Sequence, residues 1–355
     1  MSADAGPSLE RLNRAGRFLE AVAPFRQIVF VSHVNPDPDA LASMLGLKAL
    51  IEAKQPGKSI IMTMDGMIAR AENQAMVDLI PIALVPVGQV PITSDTAIVM
   101  VDTQPHTGRR ASEAAMPQVV LDHHETGGLL DGVLLRDIRP QMGATSTMVT
   151  GYLLEANIPV PPRLATALLY GIESETSGFP REAGPADDGA LVWLFPRADK
   201  DLLAEIKNPK LPQSHFATVQ YALANAFLYR DLVVSWCGPV SQPDIIAEMA
   251  DFFIRFDKVQ WVVCVGIFDG LLKLSMRVSH LGGHAGELLR DVVDGLGNAG
   301  GHDKRAGGAI PIPNNRPETI DPLLKTIRSR LLDELSITDQ EGRRLLEAAP
   351  ILPAL

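Results

Sequence analysis

The first 200 residues alternate short apolar runs with longer stretches of helical periodicity. Four runs are apolar almost throughout, and they predict strands over residues 27–32, 59–64, 96–102 and 118–122. Between them, apolar residues recur three and four positions apart, which is the spacing of one helical face. This spacing predicts helices that begin near residue 8 and near residue 145, and helices over 40–53 and 162–171. Apolar strands that alternate with helices indicate an α/β domain whose mainly parallel sheet is covered by helices.

The pattern changes after residue 213. Strands over 261–268 and 271–279 meet at Asp269-Gly270, a dipeptide typical of tight hairpin turns. The other predicted elements are helices over 214–227, 244–255 and 285–294, strands over 229–237 and 309–313, and a glycine-rich loop over 297–308. Together they predict a second, smaller domain of the α+β class.

The change of pattern also predicts the domain boundaries. We expect a first domain over residues 1–198, a helical connector over 199–213, a second domain over 214–335 and a peripheral tail over 336–355.

Charge and composition narrow the classes of function. The chain has 32 Lys and Arg against 42 Asp and Glu, a net charge of −10. Proteins that hold long nucleic acids neutralise many phosphates with basic surface, so we expect no long duplex as a partner. No apolar run approaches the roughly 20 residues of a membrane span, and the first residues lack the layout of a signal peptide. The sequence therefore predicts a cytoplasmic protein without a membrane partner.

Acidic and histidine residues follow three of the predicted strands. They are His33, Asp37 and Asp39 after the first strand, Asp102 at the end of the third, and Asp122, His123 and His124 at the end of the fourth. A single aspartate at such a place is more often a helix cap, and Asp39 alone would be read so. Three strand ends that share this chemistry favour a ligand site beyond the carboxyl ends of the sheet. Clustered carboxylates repel one another, so metal cations are expected to balance them.

These residues carry a family resemblance. The motif His33-x-x-Pro-Asp37-x-Asp39-Ala-x-x-Ser43, the isolated Val-Asp102 and the triplet Asp122-His123-His124 resemble the first three motifs of the DHH phosphoesterases. That superfamily includes RecJ-like exonucleases, nanoRNase/pAp phosphatases and cyclic-di-AMP phosphodiesterases. The second domain is similar to the DHH-associated domain, through Arg277 and Ser279 and through Gly300-Gly301-His302 with Ala306-Gly307-Gly308.

The resemblance implies two Mn²⁺ ions and a bridging hydroxide that attacks phosphorus. His33 and Asp37 would bind one ion, Asp39 and His123 the other, and Asp102 would bridge them. Asp122 would orient the histidines, and His124 would reach the substrate phosphate. Imidazole and carboxylate ligands without sulfur suit Mn²⁺, with Mg²⁺ or Co²⁺ as substitutes.

Two departures from the family pattern bear on this site. In Gly171-Ile172-Glu173-Ser174-Glu175-Thr176, Glu175 stands where the family has an aspartate ligand, and it is either the ligand or a charge on a surface loop. In the second domain, Asn298 and Ala299 replace glycines that precede the Gly-Gly-His motif, and Arg305 replaces an alanine. The predicted substrate-binding residues are Arg277, Ser279, Gly300, Gly301, His302 and Arg305.

The function expected from this resemblance is hydrolysis of short oligonucleotides or nucleotide bisphosphates, as in nanoRNase and pAp phosphatases. The alternative enzyme is a phosphodiesterase for cyclic or linear dinucleotides. An alternative of another class is a weakly active nucleotide-binding regulatory protein, suggested by Glu175 and the altered glycine motif. The sequence leaves the oligomeric state open, and a homodimer is among the options.

Overall fold

The computed structural model describes residues 13–68, 70–105, 116–125, 127, 130–176, 183–301 and 303–346. It divides into two compact units, Met1–Pro209 and Lys210–Leu355. The division falls within the segment 199–213 that the sequence marks as a connector.

The first unit is built on a six-stranded parallel sheet with the strand order β3-β2-β1-β4-β5-β6. Its strands are β1 (Gln27–Val31), β2 (Ser59–Met64), β3 (Leu84–Pro86), β4 (Thr96–Val101), β5 (Val119–Asp122) and β6 (Leu135–Ile138). Ile28 and Phe30 belong to one core, whereas Val29 and Val31 belong to a smaller core on the other face. This burial on both faces is why the strands are apolar throughout, and it confirms the predicted parallel sheet.

Seven helices belong to the described part of this unit. They are α1 (Arg14–Val22), α2 (Pro38–Lys54), α3 (Ala71–Leu79), α4 (Thr145–Glu155), α5 (Pro162–Glu175), α6 (Pro185–Leu194) and α7 (Lys200–Lys207). Asp37 caps α2 by accepting the backbone N–H of Ala40 at 3.0 Å, and Pro38 occupies the first helical position, where its missing N–H costs nothing.

Helices α2, α4 and α5 approach one another closely next to the carboxyl end of β1. At Gly171 on α5, an added Cβ would lie 2.7 Å from Ser146 Oγ and 3.1 Å from the carbonyl oxygen of Pro38. Real Cβ atoms do not come as close as the first of these distances, so any side chain here would displace Ser146.

The second unit contains a seven-stranded mixed sheet with the order β11-β12-β10-β9-β8-β7-β13. Only β8 and β9 pair in parallel among its described strands. The strands are β7 (Ala226–Tyr229), β8 (Leu232–Pro239), β9 (Trp261–Phe268), β10 (Leu271–Val278), β11 (Asn298–Gly301), β12 (Arg305–Pro311) and β13 (Arg343–Arg344). The helices are α8 (Gln213–Ala224), α9 (Asp244–Phe253), α10 (Ala285–Val293) and α11 (Pro317–Glu334). The predicted α+β class is confirmed.

The second unit differs from the sequence prediction at three places. The predicted glycine-rich loop over 297–308 is the antiparallel pair β11 and β12. The predicted strand over 229–237 is interrupted at Arg230, whose φ of +54° turns the chain between β7 and β8. The sequence pattern does not predict helix α11. Within the segment 336–355, Arg343 and Arg344 pair with β7 as an edge strand.

Among the described residues, the helices are too short or too polar to traverse a lipid bilayer.

Candidate metal centre

Three neighbouring strands of the first unit end in residues that can bind metal. Strands β1, β4 and β5 lie side by side, and His33, Asp102 and Asp122 stand at or just beyond their carboxyl ends. The order of the strands reverses between β1 and β4, because β2 and β3 lie on one side and β5 and β6 on the other. In open parallel sheets, ligands bind beyond the carboxyl ends at such a switch point.

His33 presents one ring nitrogen to two carboxylates. Its Nδ1 donates to the carbonyl oxygen of Val34 at 3.0 Å, which leaves Nε2 to face the site. Nε2 lies 3.6 Å from Asp37 Oδ2 and 3.5 Å from Asp102 Oδ2. Burial lowers the pKa of His33, but the hydrogen bonds and charges of Asp102 and Asp37 outweigh it and raise the pKa to about 11. A divalent cation among these groups would take the place of that proton.

His123 carries an unsatisfied buried nitrogen. Its Nδ1 donates to the carbonyl oxygen of Met142 at 3.2 Å. Its Nε2 is buried without a hydrogen-bond partner, 3.5 Å from Asp102 Oδ1 and 3.8 Å from Glu175 Oε1. Because unpaired buried polar atoms are costly and rare, a nitrogen aimed at two carboxylates fits a metal ion, which accepts its lone pair.

Asp102 lies between the two histidines and turns one carboxylate oxygen toward each. Oδ2 faces His33, Oδ1 faces His123, and the residue is 2% exposed. Its φ of +60° is in the left-handed region, which aspartate and asparagine tolerate better than most residues. The backbone N–H of Asp102 donates to the carbonyl oxygen of Leu121 at 2.8 Å, which fixes this turn. The arrangement suits a carboxylate that is shared by two cations.

Glu175 ends α5 at the edge of the same cluster. Burial, together with the charges of Asp37 and Asp102, raises the pKa of Glu175 to about 8. Its Oε1 lies 3.8 Å from Nε2 of His123. The glutamate that replaces the expected aspartate therefore stands with the other carboxylates and not on a remote surface loop.

Asp39 is fully buried and caps a second helix. Its Oδ2 accepts the backbone N–H of Thr145 at 2.7 Å and its Oδ1 that of Ser146 at 2.7 Å, at the N-terminus of α4. Burial and the charges of Asp102 and Asp37 raise the pKa of Asp39. The described contacts give Asp39 a structural role, and its role as a metal ligand stays a prediction.

Asp122 orients one histidine and not both. Its Oδ1 accepts hydrogen bonds from Nδ1 of His124 at 2.8 Å and from the backbone N–H of His124 at 3.1 Å. His123 is held instead by the carbonyl oxygen of Met142, so the expectation that Asp122 orients both histidines is corrected. The hydrogen bond that His124 donates to Asp122 raises the pKa of His124.

Two sets of possible ligands share Asp102 in the described part of the chain. The ligand atoms of His33, Asp37 and Asp102 lie within 4.8 Å of one another, as do those of Asp102, His123 and His124. In the second set the Nδ1 of His124 already donates to Asp122, so it offers no lone pair. Glu175, whose Oε1 lies 3.8 Å from Nε2 of His123, stays the predicted third ligand.

Sequence reasoning missed Gln104. This residue is 1% exposed, and its Nε2 donates to Asp122 Oδ2 at 2.8 Å and to the carbonyl oxygen of Glu125 at 3.0 Å. Its Oε1 accepts the backbone N–H of Gly127 at 3.1 Å. These bonds tie the loop after β5 to Asp122. The only signal in the sequence is the position of an amide two residues beyond Asp102.

In the second unit, Arg277 is buried beside a carboxylate. It donates through Nε to Asp251 Oδ1, through a terminal nitrogen to Asp251 Oδ2 at 3.3 Å, and through the other to Ser275 Oγ at 3.0 Å. The fork that was expected to bind phosphate is therefore occupied by Asp251. The predicted contact between Arg277 and substrate stays a prediction.

The remaining substrate-binding candidates lie along one edge of the second sheet. Gly300 and Gly301 belong to the edge strand β11, Arg305 begins β12 in register with Arg277, and Ser279 follows β10 on the surface. His302 lies outside the described residues. A groove of about 440 Å³ runs along this face and is lined by Lys273, Ser275, Asn298, Gly300 and Gly307, among others.

Asp303, which the sequence analysis did not single out, shapes the neighbouring loop. Its carboxylate accepts the backbone N–H groups of Gly282 at 2.8 Å and of His284 at 3.0 Å, and these bonds lower its pKa. The loop over residues 280–284 is thereby tied to the turn between β11 and β12.

A parallel sheet that gathers histidines and carboxylates at its switch point defines a metal-binding α/β protein. Comparison with known families is more specific. Residues 27–172 match the DHH family, N-terminal domain, and residues 230–331 match the DHHA1 domain. The chain therefore contains a DHH-family domain in its first unit and a DHHA1 domain in its second.

Two relatives illustrate the range of this similarity. An uncharacterised protein of Methanocaldococcus jannaschii is 30% identical over 321 residues, which are 88% of this chain and 65% of the relative. The cyclic-di-AMP phosphodiesterase GdpP of Geobacillus thermodenitrificans is 29% identical over 190 residues, which are 49% of this chain and 28% of the relative. The chain thus spans less than two thirds of the length of either relative.

A solved structure shares the whole fold. An exopolyphosphatase-related protein from Bacteroides fragilis superposes with a TM-score of 0.70 at 17% identity, over 91% of this chain and 99% of that one.

Proposed function

We propose that this protein is a metal-dependent phosphoesterase that hydrolyses short oligonucleotides or nucleotide bisphosphates. The observation that carries the proposal is the position of Asp102, which turns one oxygen to His33 and the other to His123. Each histidine also faces a further carboxylate, from Asp37 or Glu175. Two such sets with a shared carboxylate are what a dinuclear site requires.

The donor set supports two divalent cations, with Mn²⁺ as the preferred ion. His33, Asp37 and Asp102 would hold one ion, and Asp102, His123 and Glu175 the other, with Asp39 as a further candidate ligand. Imidazole and carboxylate donors without sulfur suit Mn²⁺, and Mg²⁺ or Co²⁺ are expected substitutes. When bound, such ions lower the pKa of water and neutralise charge on the attacking and leaving oxygens of a phosphate ester.

His124 is the side chain best placed to meet the substrate. Its Nδ1 donates to Asp122, and this carboxylate raises the pKa of the imidazole. A protonated His124 can donate through Nε2 to a phosphate oxygen, and Asp122 fixes the direction of that donor. Asp122 is itself fixed by Gln104. The chain of three residues favours a role in orienting a phosphate and stabilising its charge.

The acidic chain supports a small substrate. With a net charge of −10, the protein lacks the excess of cations that long nucleic acids require. A small phosphorylated ligand needs cations only at its phosphates, and the proposed metal ions supply them. In the second unit, the groove that Lys273 lines offers that cation to such a ligand.

The similarity to GdpP favours a second candidate, the hydrolysis of cyclic or linear dinucleotides. That similarity covers 49% of this chain. Both candidates need the same metal centre and differ only in the ester that is presented to it.

A substrate panel tests the proposal. The purified full chain would be incubated with Mn²⁺ and with pAp, pApA, RNAs of two to five nucleotides, cyclic dinucleotides and polyphosphate. We expect the fastest turnover on pAp or the shortest RNAs, and no turnover with chelator or in Asp102→Asn. Preference for a cyclic dinucleotide would establish the second candidate instead. Tight binding of a nucleotide without turnover would establish a binding protein and refute the enzyme.

A further inference from the structure

We infer that Asp187 is a positioning residue that sets the geometry of the His123 half of the metal centre; this inference rests on the proposed function. Asp187 lies in the first turn of α6 and is fully buried. Its Oδ2 accepts the backbone N–H groups of Gly143 at 2.8 Å and of Gly184 at 2.7 Å, and its Oδ1 accepts the hydroxyl of Thr147 at 2.5 Å.

Two of these three hydrogen bonds are unnecessary for helix α6 itself. The bond from Gly184 closes the N-terminus of α6 and is local. Gly143 and Thr147 are 44 and 40 residues away in sequence. Their hydrogen bonds attach the segment 142–147, which includes the start of α4, to Asp187. Asp187 belongs to α6 and therefore neither to α4 nor to the sheet.

The segment 142–147 contacts three side chains of the metal centre. The carbonyl oxygen of Met142 receives Nδ1–H of His123, and the hydroxyl of Thr145 donates to Asp102 Oδ1 at 2.9 Å. The backbone N–H groups of Thr145 and Ser146 donate to Asp39. Asp187 and these three side chains therefore bind the same six residues.

A buried carboxylate is a strong anchor for such a segment. It accepts hydrogen bonds only, and burial without partners would be costly, so all three donors have to stay in place. Groups that hydrogen-bond to a metal ligand orient it, and their removal commonly changes metal affinity by about 10–100-fold. Asp187 acts on His123 less directly. It binds the backbone N–H of Gly143, and the preceding residue, Met142, accepts the hydrogen bond from His123.

The two halves of the centre should respond differently to the loss of Asp187. His123 depends on the carbonyl oxygen of Met142 for its orientation. His33 depends on the carbonyl oxygen of Val34, which lies in a loop that Asp187 does not touch. We therefore expect Asp187→Ala to weaken the binding of one Mn²⁺ ion by about tenfold or more, and the binding of the other by a clearly smaller factor, through the shared Asp102 alone.

Calorimetric titration of the full chain with Mn²⁺ alone tests this inference. Asp188 offers a matched control, because it lies in the same helical turn with the same charge and is exposed. Asp188→Asn should bind both ions as the wild type does. Asp187→Asn should lie between wild type and Asp187→Ala, because its amide oxygen still accepts from Gly143 and Gly184 while its NH₂ group faces the Thr147 hydroxyl oxygen.

A general loss of stability has to be separated from positioning. Ile51→Val, in the buried part of α2, lowers the Tm without touching the segment 142–147, and it should keep both affinities. If Asp187→Ala fails to fold, Asp187→Asn and Thr147→Val carry the same test. Unchanged affinities in these variants, or an equal loss at both sites, would overturn the inference. A wild type that binds no Mn²⁺ would instead refute the proposed metal centre.

Discussion

The hydroxyl of Thr145 donates to Asp102 Oδ1, the same oxygen that faces Nε2 of His123. The two contacts are 2.9 Å and 3.5 Å long. A carboxylate oxygen that already accepts one hydrogen bond keeps a fixed set of directions for its remaining lone pair. Thr145 therefore restricts the orientation of the carboxylate that the two halves of the site share.

Replacing Thr145 with valine should test this restriction. The side chains are similar in size, and the change removes a buried hydrogen bond to a charged group, so we expect a loss of about 1.5–3 kcal/mol in unfolding free energy. Mn²⁺ affinity should also fall several-fold. Thr150→Val is the control, since the Thr150 hydroxyl donates to the carbonyl oxygen of Ser146 within the same helix. Equal effects on Mn²⁺ affinity in both variants would contradict the assignment.

Asp102→Asn should abolish turnover while the chain stays folded. Asparagine tolerates the positive φ of this position, but it presents an NH₂ group to one of the two histidines and removes a charge. We expect rates to fall by about 10³-fold or more, from the loss of transition-state charge stabilisation. Circular dichroism should show an unchanged fold. Asp131→Asn, at an exposed position, should behave as wild type. A folded Asp102→Asn protein with near wild-type rate would exclude the bridging role.

Glu175 can be tested by shortening and by removal. If Glu175 is a ligand, Glu175→Asp should keep or improve activity, since it restores the aspartate that the resemblance to DHH phosphoesterases implies. Glu175→Ala should weaken one of two bound Mn²⁺ ions, because His123 then faces one carboxylate instead of two. Metal titration with steady-state rates on the three proteins distinguishes the cases. Full rate and two tightly bound ions in Glu175→Ala would show that Glu175 is no ligand.

The raised pKa of Glu175 predicts the pH dependence of stability without metal. Because the folded pKa of about 8 exceeds the unfolded value, protonation of Glu175 stabilises the fold at low pH. That contribution is full below the unfolded pKa and is lost as pH rises through about 8. In the presence of chelator, the Tm of wild type should therefore fall relative to the Tm of Glu175→Gln as the pH rises from 5 to 9. The His33 contribution is common to both proteins. A Tm difference that is independent of pH would refute the raised pKa.

Arg277 should affect both stability and substrate binding if its predicted role is correct. Arg277→Met removes the ion pair with Asp251 and should lower the Tm of the second unit. If Arg277 also meets the substrate, KM should rise by about 10–100-fold, roughly 1–3 kcal/mol for a lost hydrogen bond to a charged group. Lys325→Met, on the exposed side of α11, is the control for the change in charge. A lowered Tm with an unchanged KM would leave Arg277 a purely structural role.

Much of the fold could be predicted because burial leaves a direct mark on composition. The strands over 59–64 and 261–268 have the bounds that their apolar runs predict. The β11–β12 hairpin could not be predicted in this way. Glycine carries little preference for strands, and β12 is held by its pairing with β10, which lies more than 25 residues away.

The side chains of the metal centre could be predicted from the sequence, but the hydrogen bonds that hold them could not. His33, Asp102 and His123 stand at strand ends, where the fold class itself brings them together. The bond from His123 to Met142 uses a main-chain carbonyl, which every residue has, so no residue type marks it. Asp39 shows the same limit, because its partners are the backbone N–H groups of a helix about 106 residues away.

The close approach of Gly171 to Ser146 and Pro38 makes the metal centre sensitive to substitution at a position that binds no metal. The smallest side chain at position 171 would act as a wedge between α5 and the start of α4. Moving that start by a fraction of an ångström shifts the N–H groups that hold Asp39 and the hydroxyl that holds Asp102. In a saturation-mutagenesis survey scored by activity, position 171 would therefore be as intolerant as a ligand, although glycine has no side chain with which to bind anything.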